Sequence, residues 1–342
     1  MGTLESRRKV GYSRYVLERT VQHMTAGESD VSMLYGIRDY YPKFGYATTG
    51  PEHQLHLSHP SLDAPLPPGW TARPYRCEDL PAVRAVYERA LAGTCGTAVR
   101  AENERIWSRL DRAAASEPVD TCRVVVGPDG LVHGYAWHCP DHWAVRGMQR
   151  SEPQALVLGE VMADGPEAAD AILAVCRRWG AEQAGAGSDP VTEVLTSLTE
   201  EGPVAAAAQL QDARFTRRFT GCGGSMTRVL NVERLFRALL PELDARLEAA
   251  GWPFQGLLHF QTDIGGAWVA LDRTGSRVYP AAPAKVEDLS VELPQTALAR
   301  LALGSFRPED ILVRLSPTPR AARLLCTLFP QRQQNMLLPD RY

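Results

Sequence analysis

A proline-rich segment close to the start of the chain sets the first limit on its fold. Residues 59–70 read HPSLDAPLPPGW and contain four prolines and one glycine. Proline lacks a backbone N–H and its ring fixes φ, so this segment cannot form a helix or a central strand. We therefore predict a linker that separates a short first module from a much longer remainder.

Length and charge limit the class of protein. A chain of 342 residues exceeds one ordinary hydrophobic core, so we expect two or three domains. Hydrophobic residues make up 44% and charged residues 23%, which is ordinary for a globular protein and excludes a disordered or collagen-like chain. The net charge of -3 lacks the basic excess that non-specific nucleic-acid binding needs, so we expect no nucleic-acid partner.

The cysteines indicate neither a disulfide framework nor a structural zinc site. Their number, seven, is odd, and the sequence contains no CxxC pair. The first residues, MGTLESRRKV, are charged and lack the apolar core of a signal peptide. No apolar run reaches the roughly 18 residues needed to span a bilayer. We expect a cytoplasmic protein without a membrane partner.

The region after the linker has the pattern of a mixed α/β domain. A helix is predicted directly after the linker, with Asp79 as its cap and Pro81 in its first turn. Two β-rich runs flank the turn GPDG at residues 127–130, which predicts a hairpin. The buried strand ALVLGEVMA, the helix PEAADAILAVCRRWGAEQ and the strand VTEVLTSL follow. This order of elements predicts an α/β fold.

A third region begins near Met226. It opens with the amphipathic helix NVERLFRALLPELDARLEAAG and continues with short strands separated by glycines. Two short helices, a last helix PRAARLLCTLF and the irregular tail QRQQNMLLPDRY complete the chain. This mixture predicts an α+β module.

The first sixty residues carry the strongest chemical signal. Residues 8–13 read RKVGYS, an R-x-x-G-x-S pattern that opens the predicted helix YSRYVLERTVQHM. A glycine turn at a helix N-terminus presents free backbone N–H groups and the positive end of the helix dipole, which suits a pyrophosphate. The alternative is that these arginines are only solvated surface charge.

A strand and an aromatic string follow this loop. Residues 30–36 (DVSMLYG) predict a strand and turn, and they lead to a short helix at residues 40–46 (YYPKFGY). An R-x-x-G-x-G/A loop followed about 30 residues later by such a strand and string resembles the GNAT family of acetyl-CoA-dependent N-acetyltransferases. Both the order and the spacing of the motifs match.

The order of the modules resembles that of the Eis-type acetyltransferases. In those proteins a catalytic GNAT domain is followed by a degenerate GNAT domain and a sterol-carrier-protein-like domain. The resemblance implies the C-terminal part of a GNAT domain at 1–60, the linker at 61–70, a degenerate GNAT-like domain at 71–225 and a sterol-carrier-protein-like domain with the tail at 226–342.

An acidic loop in the middle region supports the interpretation that this GNAT-like domain is degenerate. Residues 164–167 read DGPE and follow the buried strand, at the position where a second phosphate loop would stand. Their negative charge should repel a pyrophosphate.

The resemblance also implies a reaction, the transfer of an acetyl group from acetyl-CoA to a primary amine of a small molecule or peptide. Tyr41 matches the tyrosine that protonates the departing thiolate, and its ordinary pKa of about 10 keeps it protonated at neutral pH. The alternative is a core tyrosine that only packs. The terminal carboxylate, on Tyr342, matches the general base, and the alternative is a frayed tail.

Further expectations follow from the same resemblance. No metal is needed, and the protein should form a homo-oligomer. The residues implied to bind the pyrophosphate of acetyl-CoA are Arg8, Lys9, Val10, Gly11, Tyr12 and Ser13.

Histidines offer two alternative sites. In EHQLHLSH (residues 52–59) three histidines recur at a spacing of three, which could indicate a metal cluster. The same run is typical of a strand with its leucines inward and its histidines outward. His138, Cys139 and His142 also lie close together, but without an acidic or cysteine partner at a zinc spacing. We predict no metal site.

The position of the loop pattern raises a competing interpretation. It begins at Arg8, whereas the first helices and strands of a GNAT domain precede this loop. We therefore expect the N-terminal part of the first GNAT domain to be missing and a sheet edge to be exposed. The alternative function is a truncated, non-catalytic scaffold, or a protein that binds an apolar ligand in its sterol-carrier-like domain.

Overall fold

The computed structural model of the protein describes residues 4–100, 105–115, 121–186, 191–251, 254–272, 275–283, 289–315 and 317–341. Its contacts define two compact units. The first comprises Met1–Pro51 and Phe219–Arg332, and the second comprises Glu52–Arg218 and Gln333–Tyr342. Each unit combines segments that are distant in the sequence. The four consecutive parts expected above have other boundaries, and that division stays a prediction.

The helices alternate with strands along most of the chain, which confirms the mixed α/β class. In chain order they are α1 (Tyr12–Ala26), α2 (Leu80–Ala90), α3 (Arg105–Ala115), α4 (Trp143–Ser151), α5 (Pro166–Ala186), α6 (Pro203–Leu210), α7 (Val232–Ala249), α8 (Gln295–Leu303), α9 (Pro308–Leu312) and α10 (Pro319–Leu328). Within the described ranges, no helix combines the length and apolar character needed to cross a bilayer.

The strands are short, and the proline-rich segment lies between the third and the fourth of them. In chain order they are β1 (Val31–Gly36), β2 (Ala47–Gly50), β3 (Glu52–Ser58), β4 (Thr71–Pro74), β5 (Cys122–Val126), β6 (Val132–Trp137), β7 (Ala155–Leu158), β8 (Glu160–Ala163), β9 (Glu193–Thr196), β10 (Arg214–Arg218), β11 (Gly224–Val229), β12 (Gly256–Thr262), β13 (Gly265–Leu271), β14 (Arg277–Tyr279) and β15 (Leu289–Glu292). Residues 59–70 form neither helix nor strand, and they lie inside the second unit, so their role as a linker between modules stays a prediction.

In the first unit, a strand from late in the chain joins two early strands. The antiparallel sheet has the order β1-β11-β2, and Val31 pairs with Val229. Met226, expected at the start of a third region, lies inside β11 and is fully buried. Strand β11 lies between β1 and β2 and pairs with one edge of each. The exposed sheet edge expected in the first sixty residues is therefore covered on the side that faces β11.

Helix α1 packs on the same part of the first unit. Leu17 and Val21 lie one turn apart, on one face of the helix, and both are buried. They share a hydrophobic cluster with Phe44, Tyr46 and Met226. The helix that starts with the glycine turn is thus fixed by its apolar face, while its N-terminus stays accessible to solvent.

The other sheet of the first unit has the order β14-β13-β12-β15, with β12 and β15 parallel. Helices α7 and α10 contact this sheet and each other. Phe236, Phe260 and Phe329 meet in the core, with ring centroids of Phe236 4.3 Å from Phe260 and 6.4 Å from Phe329. A sterol-carrier-protein-like identity of this region stays a prediction.

The second unit contains two sheets that separate at a glycine. One has the order β4-β5-β6-β8 and the other β10-β3-β9-β7. Strands β7 and β9 run parallel from Ala155 to Leu158, and the next strand, β8, pairs with β6 instead. Gly159 lies between β7 and β8, and its N–H donates to the carbonyl of Trp137 at 2.7 Å. Helix α5 packs against both sheets.

Candidate active site

The glycine turn before α1 has the backbone conformation that its sequence predicts. Gly11 is the N-cap of α1 with φ 98°, a left-handed value that favours glycine, and Lys9 also has a positive φ of 67°. Nothing lies within 4 Å of a Cβ built at Gly11, so a larger side chain would fit there. Glycine is favoured at this position because of its left-handed backbone conformation. The first intrahelical bond runs from the N–H of Tyr15 to the carbonyl of Gly11, at 3.0 Å.

This turn is a basic helix end. The N–H groups of the first helical turn have no intrahelical acceptor, and the first turn of α1 contains no acidic residue. Arg8 and Lys9 are exposed beside it. The structure thus brings the six loop residues to one helix N-terminus whose charge suits an anion; Val10 and Tyr12 are exposed there and Ser13 is half-buried.

Tyr41 lies in an aromatic cluster beside α1. It opens the 3₁₀ helix Tyr41–Phe44, and its ring centroid lies 5.2 Å from that of Tyr40 and 5.8 Å from that of Tyr46. Burial, with smaller contributions from Tyr40 and Tyr46, raises the pKa of Tyr41 above its ordinary value. The phenol therefore stays protonated at neutral pH, as a general acid must. Tyr41 is half-buried against the cluster that also holds Leu17 of α1.

Two residues from far along the chain fix the end of this 3₁₀ helix. The guanidinium of Arg228, on β11, donates to the carbonyl of Phe44, and the amide of Gln295, in α8, donates to the carbonyl of Gly45. Gly45 has φ 77°, and a Cβ there would clash with Nη1 of Arg228. Sequence reasoning missed both residues, because nothing near them in the chain points to Tyr41.

The C-terminal tail is part of the core of the second unit. Leu337 and Leu338 are fully buried in the hydrophobic cluster that surrounds Tyr135 and Trp137. For residues up to Arg341, the alternative of a frayed tail is wrong. Tyr342, the predicted base, lies outside the described residues.

The tail lies where the two sheets of the second unit separate. Oγ of Ser197, the residue after β9, is 3.4 Å from Oδ1 of Asn335. A Cβ built at Gly159, the residue between β7 and β8, would lie 3.3 Å from Cγ of Pro339. The backbone N–H of Asn335 donates to the carbonyl of Cys95 at 3.0 Å. Tail residues therefore occupy the space between the diverging strands.

The acidic loop before α5 lies at a surface cleft, and the loss of pyrophosphate binding there stays a prediction. A cleft of about 620 Å³ is lined by Asp129, Asp164 and Glu167, together with His133. Asp164 also pairs with Arg89, at 2.5 Å between Oδ2 and Nη2. Three carboxylates around the cleft disfavour a pyrophosphate.

The prediction that the three histidines point outward is wrong for His53 and His56, whereas His59, which follows β3, is exposed. His53 is 2% exposed and His56 is 3% exposed, so side chains on both faces of the inner strand β3 are buried. His53 also shares the strand face of Leu55, since the two are two residues apart. His56 lies within hydrogen-bond distance of Glu193, at 3.1 Å between Nδ1 and Oε2.

The second group of candidate ligands has structural roles. The ring of His142 caps α4 by accepting the N–H of Ala144 at 3.2 Å. Burial raises the pKa of the Cys139 thiol to about 11. In the part of the chain that the structure describes, no three or more His, Cys, Asp or Glu side chains form a group that could hold a metal ion.

Several solved structures share the fold of this chain. A GCN5-related N-acetyltransferase from Anabaena variabilis matches 98% of this chain and 79% of its own, with a TM-score of 0.66 and 16% identity. One from Kribbella flavida matches 99% of this chain and 78% of its own, with a TM-score of 0.61 and 16% identity. Eis1 from Mycobacterium abscessus matches 100% of this chain and 81% of its own, with a TM-score of 0.58 and 17% identity.

The sequence comparisons add no closer relative, since no family model and no curated protein matches the chain. Identities of 16–17% show a shared fold and nothing finer. The chain therefore has the fold of the GCN5-related N-acetyltransferases.

Proposed function

We propose that this protein is an acetyl-CoA-dependent N-acetyltransferase that acts on a primary amine of a small molecule or peptide. The observation that carries the proposal is the basic glycine turn at the start of α1, on a helix that shares one hydrophobic cluster with Tyr41. The likeness to GCN5-related N-acetyltransferases over nearly the whole chain supports it.

The loop supplies the groups that a pyrophosphate needs. Arg8 and Lys9 contribute positive charge, and the first backbone N–H groups of α1 contribute hydrogen-bond donors. Acetyl-CoA supplies the acetyl group as a thioester. The proposed binding residues are Arg8, Lys9, Val10, Gly11, Tyr12 and Ser13.

Two residues are proposed to move protons. The carboxylate of Tyr342 takes a proton from the amine as the amine nitrogen bonds to the thioester carbonyl carbon. The hydroxyl of Tyr41 gives its proton to the sulfur as the carbon–sulfur bond breaks, which yields a free thiol and an amide. The raised pKa of Tyr41 keeps the donor protonated until the thiolate leaves.

The proposal extends to the organisation of the chain. The middle region is a GNAT-like domain that has lost acetyl-CoA binding, and the C-terminal region is sterol-carrier-protein-like and structural. We also propose a cytoplasmic homo-oligomer without a nucleic-acid or membrane partner. Support for association comes from the exposed apolar side chains of Tyr15 and Val16 on α1, which are 64% and 47% exposed.

Calorimetric titration with acetyl-CoA tests the proposal. We expect the wild-type protein to bind, and Arg8→Ala to bind roughly 10- to 150-fold more weakly, because a charge-assisted hydrogen bond contributes roughly 1.5–3 kcal/mol and 1.4 kcal/mol is tenfold in affinity. Arg19→Ala is the matched control, since Arg19 is an exposed arginine of the same helix, away from its N-terminus, and bonds Gln22 at 3.2 Å. Absence of binding by the wild type would refute the proposal and favour the non-catalytic alternative.

A further inference from the structure

The first residue of α8, Gln295, is a buried amide that contacts three distant segments of the first unit. The residue is 2% exposed. Its Oε1 accepts the N–H of Val229, in β11, at 3.0 Å, and its Nε2 donates to the carbonyl of Gly45. Its backbone N–H donates to Oδ1 of Asp263, in the turn between β12 and β13, at 2.6 Å. The side-chain amide therefore links β11 to the end of the 3₁₀ helix that Tyr41 opens.

The two side-chain contacts of Gln295 require an amide. Val229 presents an N–H, which needs an acceptor, and Gly45 presents a carbonyl, which needs a donor. An amide has both, whereas a carboxylate has acceptors only and a hydrocarbon has neither. The amide is buried, so the loss of either contact is costly. The chemistry of this residue thus matches its position between the two segments.

The peptide group between Gly45 and Tyr46 carries this contact to Tyr41. The carbonyl of Gly45 and the N–H of Tyr46 belong to one planar group. The hydrogen bond from Gln295 to that carbonyl therefore also restrains the direction of the N–H. The N–H of Tyr46 donates to the carbonyl of Tyr41 at 3.4 Å. Gln295 is thus one peptide group away from the backbone of the proposed acid.

Arg228 acts on the preceding peptide group in the same way. Its guanidinium donates to the carbonyl of Phe44. The N–H of the same peptide group, on Gly45, donates to the carbonyls of Pro42 and Tyr41. Two consecutive peptide groups therefore converge on the carbonyl of Tyr41, and each is held by a side chain from a distant part of the sequence.

We propose that Gln295, together with Arg228, positions the hydroxyl of Tyr41 for proton transfer by holding the two peptide groups that bond its carbonyl. The inference rests on the proposed function. Gln295 is a positioning residue, because it acts through Tyr41 and exchanges no proton itself. Since Asp263 accepts the backbone N–H of Gln295, the turn between β12 and β13 takes part in the same arrangement. The C-terminal region then contributes to the rate of acetyl transfer as well as to stability.

The test replaces the amide by a carboxylate of the same shape. In Gln295→Glu the N–H of Val229 keeps its acceptor, and the carbonyl of Gly45 loses its donor. Arg228 borders Gly45 as Gln295 does, so the new charge has a counter-ion, and the melting temperature should fall by no more than about 5 °C. Hydrogen exchange in a peptide covering residues 40–46, measured by mass spectrometry, should become about three- to tenfold faster, which is the effect of losing one hydrogen bond.

The rate of acetyl transfer tests the positioning role. In Gln295→Glu kcat should fall by about three- to tenfold, with KM for acetyl-CoA unchanged, because the proposed pyrophosphate loop is a separate segment. A Tyr41→Phe background gives a readout that a general loss of stability would not move. With the acid absent, Gln295→Glu should lower kcat no further, since the residue acts through Tyr41.

Two further variants complete the experiment. Gln331→Glu is the matched control, since Nε2 of Gln331 also donates to a backbone carbonyl of the first unit, that of Ser305 at 3.3 Å. It should match the wild type in the exchange of residues 40–46 and in kcat. Gln295→Met removes the donor without adding a buried charge, and it should show the same faster exchange and the same lower kcat.

The outcomes distinguish this inference from the proposed function. Exchange of residues 40–46 at the wild-type rate in both Gln295 variants would overturn the proposal, whatever the enzyme does. Faster exchange with unchanged kcat would overturn the positioning role, as would an equal loss of kcat in the Tyr41→Phe background. A wild-type protein without any acetyl transfer would refute the proposed function, and the exchange rates would still show whether Gln295 holds the helix of Tyr41.

Discussion

Removal of Arg100 should be the most damaging single substitution in the second unit. The guanidinium neutralises two buried carboxylates, those of Glu160 and Asp340, and all three side chains are at most 6% exposed. In Arg100→Met these two carboxylates remain buried without their counter-ion. Tyr135 still donates its hydroxyl to Glu160, at 2.7 Å, but carries no charge to offset it.

The expected loss follows from the cost of an unpaired buried charge. Breaking a buried ion pair by removing one partner costs about 3–5 kcal/mol. For a unit of this size, about 1 kcal/mol corresponds to about 2–4 °C in melting temperature, so the shift should be on the order of 10 °C. Since Asp340 lies in the tail, the same change should loosen the terminal segment.

Tryptophan fluorescence during thermal unfolding measures this shift, because five of the seven tryptophans lie within Glu52–Arg218. The triple variant with Glu160→Gln and Asp340→Asn removes the unpaired charges and should recover most of the loss. Arg146→Met, which breaks an exposed ion pair of 2.7 Å with Asp141, is the control and should shift melting by less than about 2 °C. A melting temperature of Arg100→Met within about 2 °C of wild type would refute the reasoning.

Three other substitutions test the remaining parts of the structure. Tyr41→Phe should lower kcat at least about tenfold with acetyl-CoA affinity nearly intact, since only the acid is lost; the neighbouring Tyr40→Phe is its control, and equal rates in both would remove Tyr41 from its role. Gly45→Ala should destabilise the first unit by roughly 1–3 kcal/mol in urea unfolding, because φ is 77° and the new Cβ meets Arg228; an unchanged midpoint would contradict this. Burial lowers the pKa of His53 to about 4, so stability should fall as the pH drops from about 6.5 to 4. His53→Leu should reduce this loss in melting curves, whereas the same loss in both proteins would exclude His53 as a cause.

Local features of the fold could be predicted because they depend on neighbouring residues. Gly11 and the helix after it, the hairpin around residues 127–130 and the irregular backbone at 59–70 all follow from conformations that a few adjacent residues prefer.

The errors arose where distant segments decide the environment. His53 and His56 were expected in solvent, but both are buried in β3, an inner strand between β9 and β10. Strand β11 was divided at Met226, although it pairs along its whole length with β1. Which strand pairs with an edge, and whether both faces of a strand are buried, depend on segments distant in the sequence. The period-two alternation of a strand's own residues does not predict either property.

The sequence by itself determined the start of the candidate site: a basic loop, a glycine with a left-handed conformation and a helix whose N-terminus suits an anion. Only the tertiary structure decided which side chains fix Tyr41 and the C-terminal tail in place. Arg228 and Gln295 secure the helix of Tyr41, while Arg100 secures the tail. The reason is physical. A helix end is specified within a few residues, whereas an ion pair between positions 100 and 340 exists only after the chain has folded and excluded water from both charges.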